Sequence, residues 1–169
     1  ISYEKNSKKF NFKTYNYLIN KFLKKNNCKI IFEPGRSIIG NAGILISKII
    51  YIKKNKNKNF VILDAGMNDL MRPALYGAKH RIMPVKKNNK TLNKSFEFVG
   101  PICESTDKFL TTKKFQNVKE GEFVIIFDVG AYGMSLSSNY NLRPYPAEVI
   151  IKNSKFQIIK KRQKITDIN

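Results

Sequence analysis

The apolar positions of this chain change their spacing twice. Over residues 14–27, TYNYLINKFLKKNN, the residues Tyr15, Leu18, Ile19, Phe22 and Leu23 recur at the intervals of one helix face, and Asn26-Asn27 marks a stop. CKIIF at 28–32 is a continuous apolar run, which predicts a short parallel strand buried on both faces. Helix, buried strand and then a Gly/Pro loop is α/β grammar. From Ala42 onward the runs are β-rich. GILISKIIYIKK and NFVILDAG are joined by a polar Lys/Asn turn, and further strands are predicted at HRIMPV, SFEFVGP, EFVIIFDVG, AEVIIKN and KFQIIKKR. Gly, Pro, Asn and Asp punctuate them. Short helical turns are predicted within NDLMRPALYG and MSLSSNYN. The expected organisation is a short α/β remnant over residues 1–36 and an antiparallel β domain over 37–169, mostly β overall.

Length and composition narrow this picture. A chain of 169 residues suits one domain, or a small domain with a piece of another. With 42% hydrophobic residues it can bury a core. The longest apolar candidate, AGILISKIIYI, is broken by Lys48 and falls short of the roughly 18 residues of a membrane span. The start at Ile1 leads to the expectation of a piece of a longer product without a signal peptide. Cys28 and Cys103 make no disulfide framework, so a reduced, cytoplasmic setting is expected. With His80 the only histidine, a zinc site of several His/Cys ligands is not expected.

The net charge of +20 raises the question of nucleic acid. Its make-up answers against it. Of 32 basic residues 27 are lysine, and Lys, Asn and Ile together fill 68 of the 169 positions. All three have AT-rich codons, so biased base composition accounts for the skew. The lysines are scattered or sit in turn-like stretches such as KKNKNKN, which reads as a solvated basic surface.

Candidate chemistry lies in four stretches. EPGR at 33–36 follows the CKIIF run, and Gly35, lacking a Cβ, permits close backbone approach; by itself this could be only a strand-to-turn junction. Arg36 and Arg72 are two of five arginines in a lysine-rich chain. Guanidinium grips a carboxylate with two parallel hydrogen bonds, which ammonium cannot. The plain alternative for Arg72 is a surface ion pair with Asp69. Cys103, Glu104 and Ser105 form a polar cluster after GPI, where a lone cysteine would otherwise read as a small buried hydrophobe. Tyr132 in GAYG could equally be a core aromatic.

Taken in order, FEPGRSIIGNAG (32–43), LDAGMNDLMRPALYGAKHRIMPV (63–85), GPICESTDKF (100–109) and DVGAYGMSLSSNYN (128–141) closely resemble the diaminopimelate decarboxylase family, within the wider fold-type III pyridoxal-phosphate decarboxylases. The likeness runs from about residue 10 to the end. EPGR and GAY are shared with relatives acting on ornithine and arginine; MNDLMRPALYG and CES point more narrowly to diaminopimelate. The resemblance implies a (β/α)₈ barrel followed by a β domain. A barrel needs about 200–250 residues, so residues 1–36 would be its C-terminal remnant. The lysine that binds the cofactor covalently would then lie outside this chain.

The resemblance further implies roles for individual residues. Glu33 would keep the cofactor's pyridine nitrogen protonated. Gly35, Arg36 and Tyr132 would contact pyridoxal 5'-phosphate. Arg36, Arg72, Tyr76 and Tyr132 would bind the substrate, Arg36 and Arg72 through its distal carboxylate. Glu104, with Ser105 beside it, would hold the distal ammonium. Cys103 would be the acid that protonates the carbanion. The implied activity is conversion of meso-2,6-diaminopimelate to L-lysine and CO₂ by a cytoplasmic homodimer whose active sites are shared between subunits, with no metal, nucleic acid or membrane involved. Two alternatives stand beside it: a decarboxylase of the same fold for ornithine, arginine or a carboxylated polyamine, and an inactive β domain. Lys79 departs from the family, which commonly has an aromatic there.

Overall fold

The computed structural model describes residues 10–168; residues 1–9 of the expected N-terminal unit lie outside that range. Helix α1 spans Phe12–Lys25, two residues earlier than the periodicity suggested, because Asn11 caps it: its side chain accepts from the Thr14 amide at 3.1 Å. The apolar stripe of α1 is present, but none of its residues is buried.

Ten strands follow: β1 (Ile44–Lys54), β2 (Lys58–Leu63), β3 (Ile82–Pro84), β4 (Thr91–Leu92), β5 (Ser95–Val99), β6 (Lys108–Thr112), β7 (Phe115–Gln116), β8 (Phe123–Phe127), β9 (Glu148–Lys152) and β10 (Lys155–Lys160). A second short helix, α2, spans Arg72–Tyr76. Six strands form one sheet in the order β3-β8-β1-β2-β5-β6, while β9-β10 and β4-β7 make two small ladders. The long strand β1 joins the sheet's halves. Ile44–Lys48 pairs with β8, Ile49–Lys54 pairs with β2, and a bulge between Ile49 and Tyr51 turns the strand from one partner to the other.

The core lies where alternate side chains of these strands point inward: Ile49, Val61, Leu63, Phe96, Phe98, Val124 and Ile126, closed by Phe109 and Phe115. Phe98 and Phe115 meet edge-on with ring centroids 4.7 Å apart. On the opposite face of β5 the buried Glu97 is held by Lys58 and by Lys108, the latter at 2.9 Å.

Two expectations are corrected. Residues 28–32 form no strand: the segment is unpaired coil, and Ile31 is 91% exposed. An apolar run signals something to be covered, and no strand among the described residues pairs with it. The β domain is also not wholly antiparallel. β2 and β5 pair in parallel, so residues 64–94 cross over between them. No helix among the described residues is long and apolar enough to cross a membrane.

Candidate functional site

The loop after EPGR and the loop after β8 are drawn together by glycines. Gly130 donates its amide to the Gly40 carbonyl and Val129 donates to Gly43, both at 3.0 Å. A Cβ on Gly43 would fall 2.5 Å from the Gly130 Cα, so side chains on either residue would force the loops apart. This contact sets Gly35 against Tyr132. Gly35 has φ +57°, a left-handed conformation that suits glycine, and a Cβ added to it would lie 3.8 Å from the Tyr132 hydroxyl. Tyr132 itself holds φ +62° and is 43% exposed, so it is not the core aromatic its surroundings in sequence allowed.

The crossover brings in the second arginine. Arg72 opens α2 and is followed by Pro73, and its guanidinium carbon stands 5.0 Å from the centroid of the Tyr76 ring and 5.2 Å from that of Tyr132. Two rings thus orient the fork. Buried His80 anchors the end of this segment: its Nδ1–H donates to the Phe127 carbonyl at 2.8 Å. Burial pushes the His80 pKa down. The Phe127 hydrogen bond and Asp128 oppose that shift, while the charges of Arg72 and Arg36 add to it. His80 therefore lies within the field of both arginines.

The loop that carries Cys103 is built around Asp107. This buried carboxylate accepts from the amides of Met67 (2.7 Å) and Ile102 (2.8 Å), and the Asp107 carbonyl accepts from Gly100 at 3.0 Å. A Cβ on Gly100 would press into that carboxylate. Burial raises the Asp107 pKa, with the two amide bonds and Arg143 acting the other way. On this frame Cys103, Glu104 and Ser105 are all exposed, and Cys103 is a free thiol, not a buried hydrophobe. The Tyr140 hydroxyl donates to Glu104 Oε1 at 2.5 Å.

Residues 64–69 brace both clusters. Asn68, 1% exposed, accepts from Arg143 Nε at 3.1 Å and, through its carbonyl, from the Ser138 amide at 2.9 Å. Arg143 also donates to the Asp64 carbonyl and stands 4.0 Å from Asp69, so the carboxylate offered as the plain alternative partner of Arg72 is paired with Arg143. Burial raises the Asp69 pKa, opposed by the Gly66 amide and Arg143.

The structure thus gathers Gly35, Arg72, Tyr76 and Tyr132 in one cluster, with Arg36 directly after Gly35 in the chain, and Cys103, Glu104 and Tyr140 in another. Glu33 is exposed coil directly before Gly35. Sequence reasoning missed Asn68, Asp107, Tyr140 and Arg143. Three of them lie inside stretches singled out above, and only Arg143, in the following LRP, does not. Among the described residues no group of three or more His, Cys, Asp or Glu side chains could hold a metal ion.

The donor set fits an anionic, phosphate-bearing group. Gly35 puts no side chain between its backbone and the Tyr132 hydroxyl, and Arg36 and Arg72 supply positive charge.

Residues 10–130 match the family model described as pyridoxal-dependent decarboxylase, C-terminal sheet domain. Diaminopimelate decarboxylase of Zymomonas mobilis subsp. mobilis is 46% identical over 154 residues, covering 91% of this chain and 36% of the relative. That of Aquifex aeolicus is 45% identical over 148 residues, covering 86% and 34%. The crystal structure of diaminopimelate decarboxylase from Helicobacter pylori complexed with L-lysine superposes with a TM-score of 0.88 at 40% identity, covering 99% of this chain and 41% of that one. The chain spans little more than a third of the length of these two curated relatives.

Proposed function

Because this chain belongs to the family of pyridoxal-dependent decarboxylase C-terminal sheet domains, we propose that it is the sheet-domain portion of a cytoplasmic enzyme that converts meso-2,6-diaminopimelate to L-lysine and CO₂. In this reading α1 and the EPGR segment complete a barrel formed by preceding residues. The uncovered apolar side chains of α1, Ile31 and Phe32 support that assignment. The observation that carries the substrate choice is Arg72, packed between Tyr76 and Tyr132 beside Gly35. An oriented guanidinium is suited to a second carboxylate, which ornithine, arginine and their decarboxylated products lack.

Bound pyridoxal phosphate would supply the electron sink that lets the α-carboxylate depart as CO₂. The residues of this chain do the rest. The Gly35 backbone, Arg36 and the Tyr132 hydroxyl receive the phosphate. The Glu33 carboxylate holds a proton on the pyridine nitrogen. Arg36, Arg72 and Tyr76 grip the distal carboxylate, and Glu104, beside Ser105, takes the distal ammonium. As the bond from Cα to the carboxylate breaks, the Cys103 thiol delivers its proton to Cα, and solvent restores it. Cys103 and Glu104 serve the site of a second subunit in a two-fold homodimer.

The test is turnover by the full-length protein loaded with pyridoxal phosphate. CO₂ and lysine released from meso-diaminopimelate, with at least a hundredfold lower kcat/KM on ornithine and arginine, is the expected result (roughly 3 kcal/mol of discrimination). Preference for ornithine, arginine or a carboxylated polyamine overturns it.

A further inference from the structure

Glu104 is exposed on a loop whose backbone is fixed by Asp107, but that anchoring leaves its side chain free to rotate. One contact removes the freedom: the 2.5 Å hydrogen bond from Tyr140 to Oε1. Tyr140 is in turn held in an unusual way. Asn141 and Leu142, both non-glycine, follow it at φ +57° and +55°. Asparagine tolerates this region, but Leu142 there costs about 1–2 kcal/mol, so the conformation persists only where its surroundings enforce it. Those surroundings are Asn139, whose Nδ2 donates to the Arg143 carbonyl (2.8 Å) and to Gln163 Oε1 (2.7 Å), and Arg143, tied to Asn68 and to the Asp64 carbonyl. A strained, braced segment thus presents an exposed phenol to an exposed carboxylate. Neither group contributes to the core. The carboxylate raises the Tyr140 pKa, so the phenol keeps its proton and acts as the donor.

We propose that Tyr140 is a positioning residue that selects for ligands carrying a distal ammonium, occupying Oε1 of Glu104 and leaving Oε2 turned toward that ammonium. The inference rests on the reading above, in which Glu104 meets the ammonium of the substrate's remote end.

The experiment uses the full-length protein loaded with pyridoxal phosphate, as wild type, Tyr140→Phe, Glu104→Gln and the double variant. Binding of L-lysine, whose α-carboxylate and α-ammonium are the remote end left after decarboxylation, is compared with binding of 6-aminohexanoate, which keeps the carboxylate and the terminal amine but lacks that ammonium. KM and kcat on meso-diaminopimelate and a thermal melt are measured alongside. Tyr140→Phe is expected to weaken lysine roughly fivefold to tenfold, as for loss of one charge-assisted hydrogen bond, and to leave 6-aminohexanoate within about twofold. KM rises while kcat changes little, the melt is unmoved, and the Glu104→Gln background abolishes the effect. Equal weakening of lysine and 6-aminohexanoate, unchanged lysine affinity, or additive effects in the double variant overturns the proposal. Wild type that binds lysine but releases no CO₂ from diaminopimelate instead overturns the assigned reaction, while the lysine-to-6-aminohexanoate ratio still decides the role of Tyr140.

Discussion

Replacing Gly130 with alanine should unfasten the contact on which the candidate site is built. The added Cβ would lie 2.8 Å from the Gly43 amide nitrogen and closer still to the Ile39 carbonyl oxygen, and both neighbours are backbone atoms that cannot rotate away. Restoring ordinary van der Waals separation requires the loops to part by about 1 Å. Both hydrogen bonds between them, Gly130 to Gly40 and Val129 to Gly43, start at 3.0 Å and would be lost. At about 0.5–1.5 kcal/mol each, with about 1–3 kcal/mol for forcing a methyl into packed backbone, the expected destabilisation is about 4 kcal/mol. The assay is urea denaturation of wild type and Gly130→Ala, with affinity for pyridoxal phosphate as the local readout, since Gly35 and Tyr132 move apart together with the loops. Gly77→Ala is the control. It adds a methyl where nothing lies within 4 Å, at φ +62°, and should cost only the left-handed backbone term of about 1–2 kcal/mol. A Gly130→Ala loss below about 1 kcal/mol, or no larger than that of Gly77→Ala, would refute the steric argument.

Three other perturbations test different parts of the structure. Asp107→Asn leaves the Met67 or the Ile102 amide facing an NH₂ group, and should cost about 2 kcal/mol in urea denaturation; stability equal to wild type would show that the carboxylate does not organise the Cys103 loop. Burial raises the Asp107 pKa in the folded chain, so its contribution to stability is full below the unfolded value and is lost as pH rises through the folded one; Asp107→Asn should flatten that part of the stability–pH curve. Arg72→Lys exchanges the oriented fork for a point charge and should weaken diaminopimelate by about 2–3 kcal/mol with little change in cofactor affinity, whereas unchanged substrate affinity would remove Arg72 from the site. For the shared-site dimer, Cys103→Ala and Glu33→Gln homodimers should each be nearly inactive, yet random mixing of two-fold dimers should recover roughly a quarter of wild-type activity. No recovery, with heterodimers verified, would place both residues in one subunit's site.

Most of the sheet was readable because its strands are long and apolar enough to announce themselves. β1, β2, β5 and β8 all fall where runs of Ile, Val and Phe predicted them. β6 was missed: KFLTT begins with Lys108, which is paired with Glu97 of the neighbouring strand, and no period along the chain displays that pairing. Strand direction was unreadable for a related reason, since alternation reports which face is covered and not which way the partner runs. The error at CKIIF was of the opposite kind, an apolar signal without a described partner. At the candidate site, chemically scarce residues such as Arg72 and Cys103 were legible as candidates one by one. Tyr140 was not: its role depends on Glu104, 36 residues away, and on two left-handed residues that sequence does not mark.

Pairing β2 with β5 in parallel obliges the chain to close residues 64–94 into a loop before the first bond of that ladder can form. The β1–β2 hairpin has no such delay, since only a short turn separates its strands. Loop closure carries its entropic cost ahead of any reward, so during refolding the hairpin can zip early while the crossover docks late. Asn68, Arg72, Tyr76 and His80 all ride on that crossover. Substitutions among them should therefore leave the refolding rate nearly untouched and quicken unfolding, so that the segment bearing the arginine fork is last to arrive and first to leave.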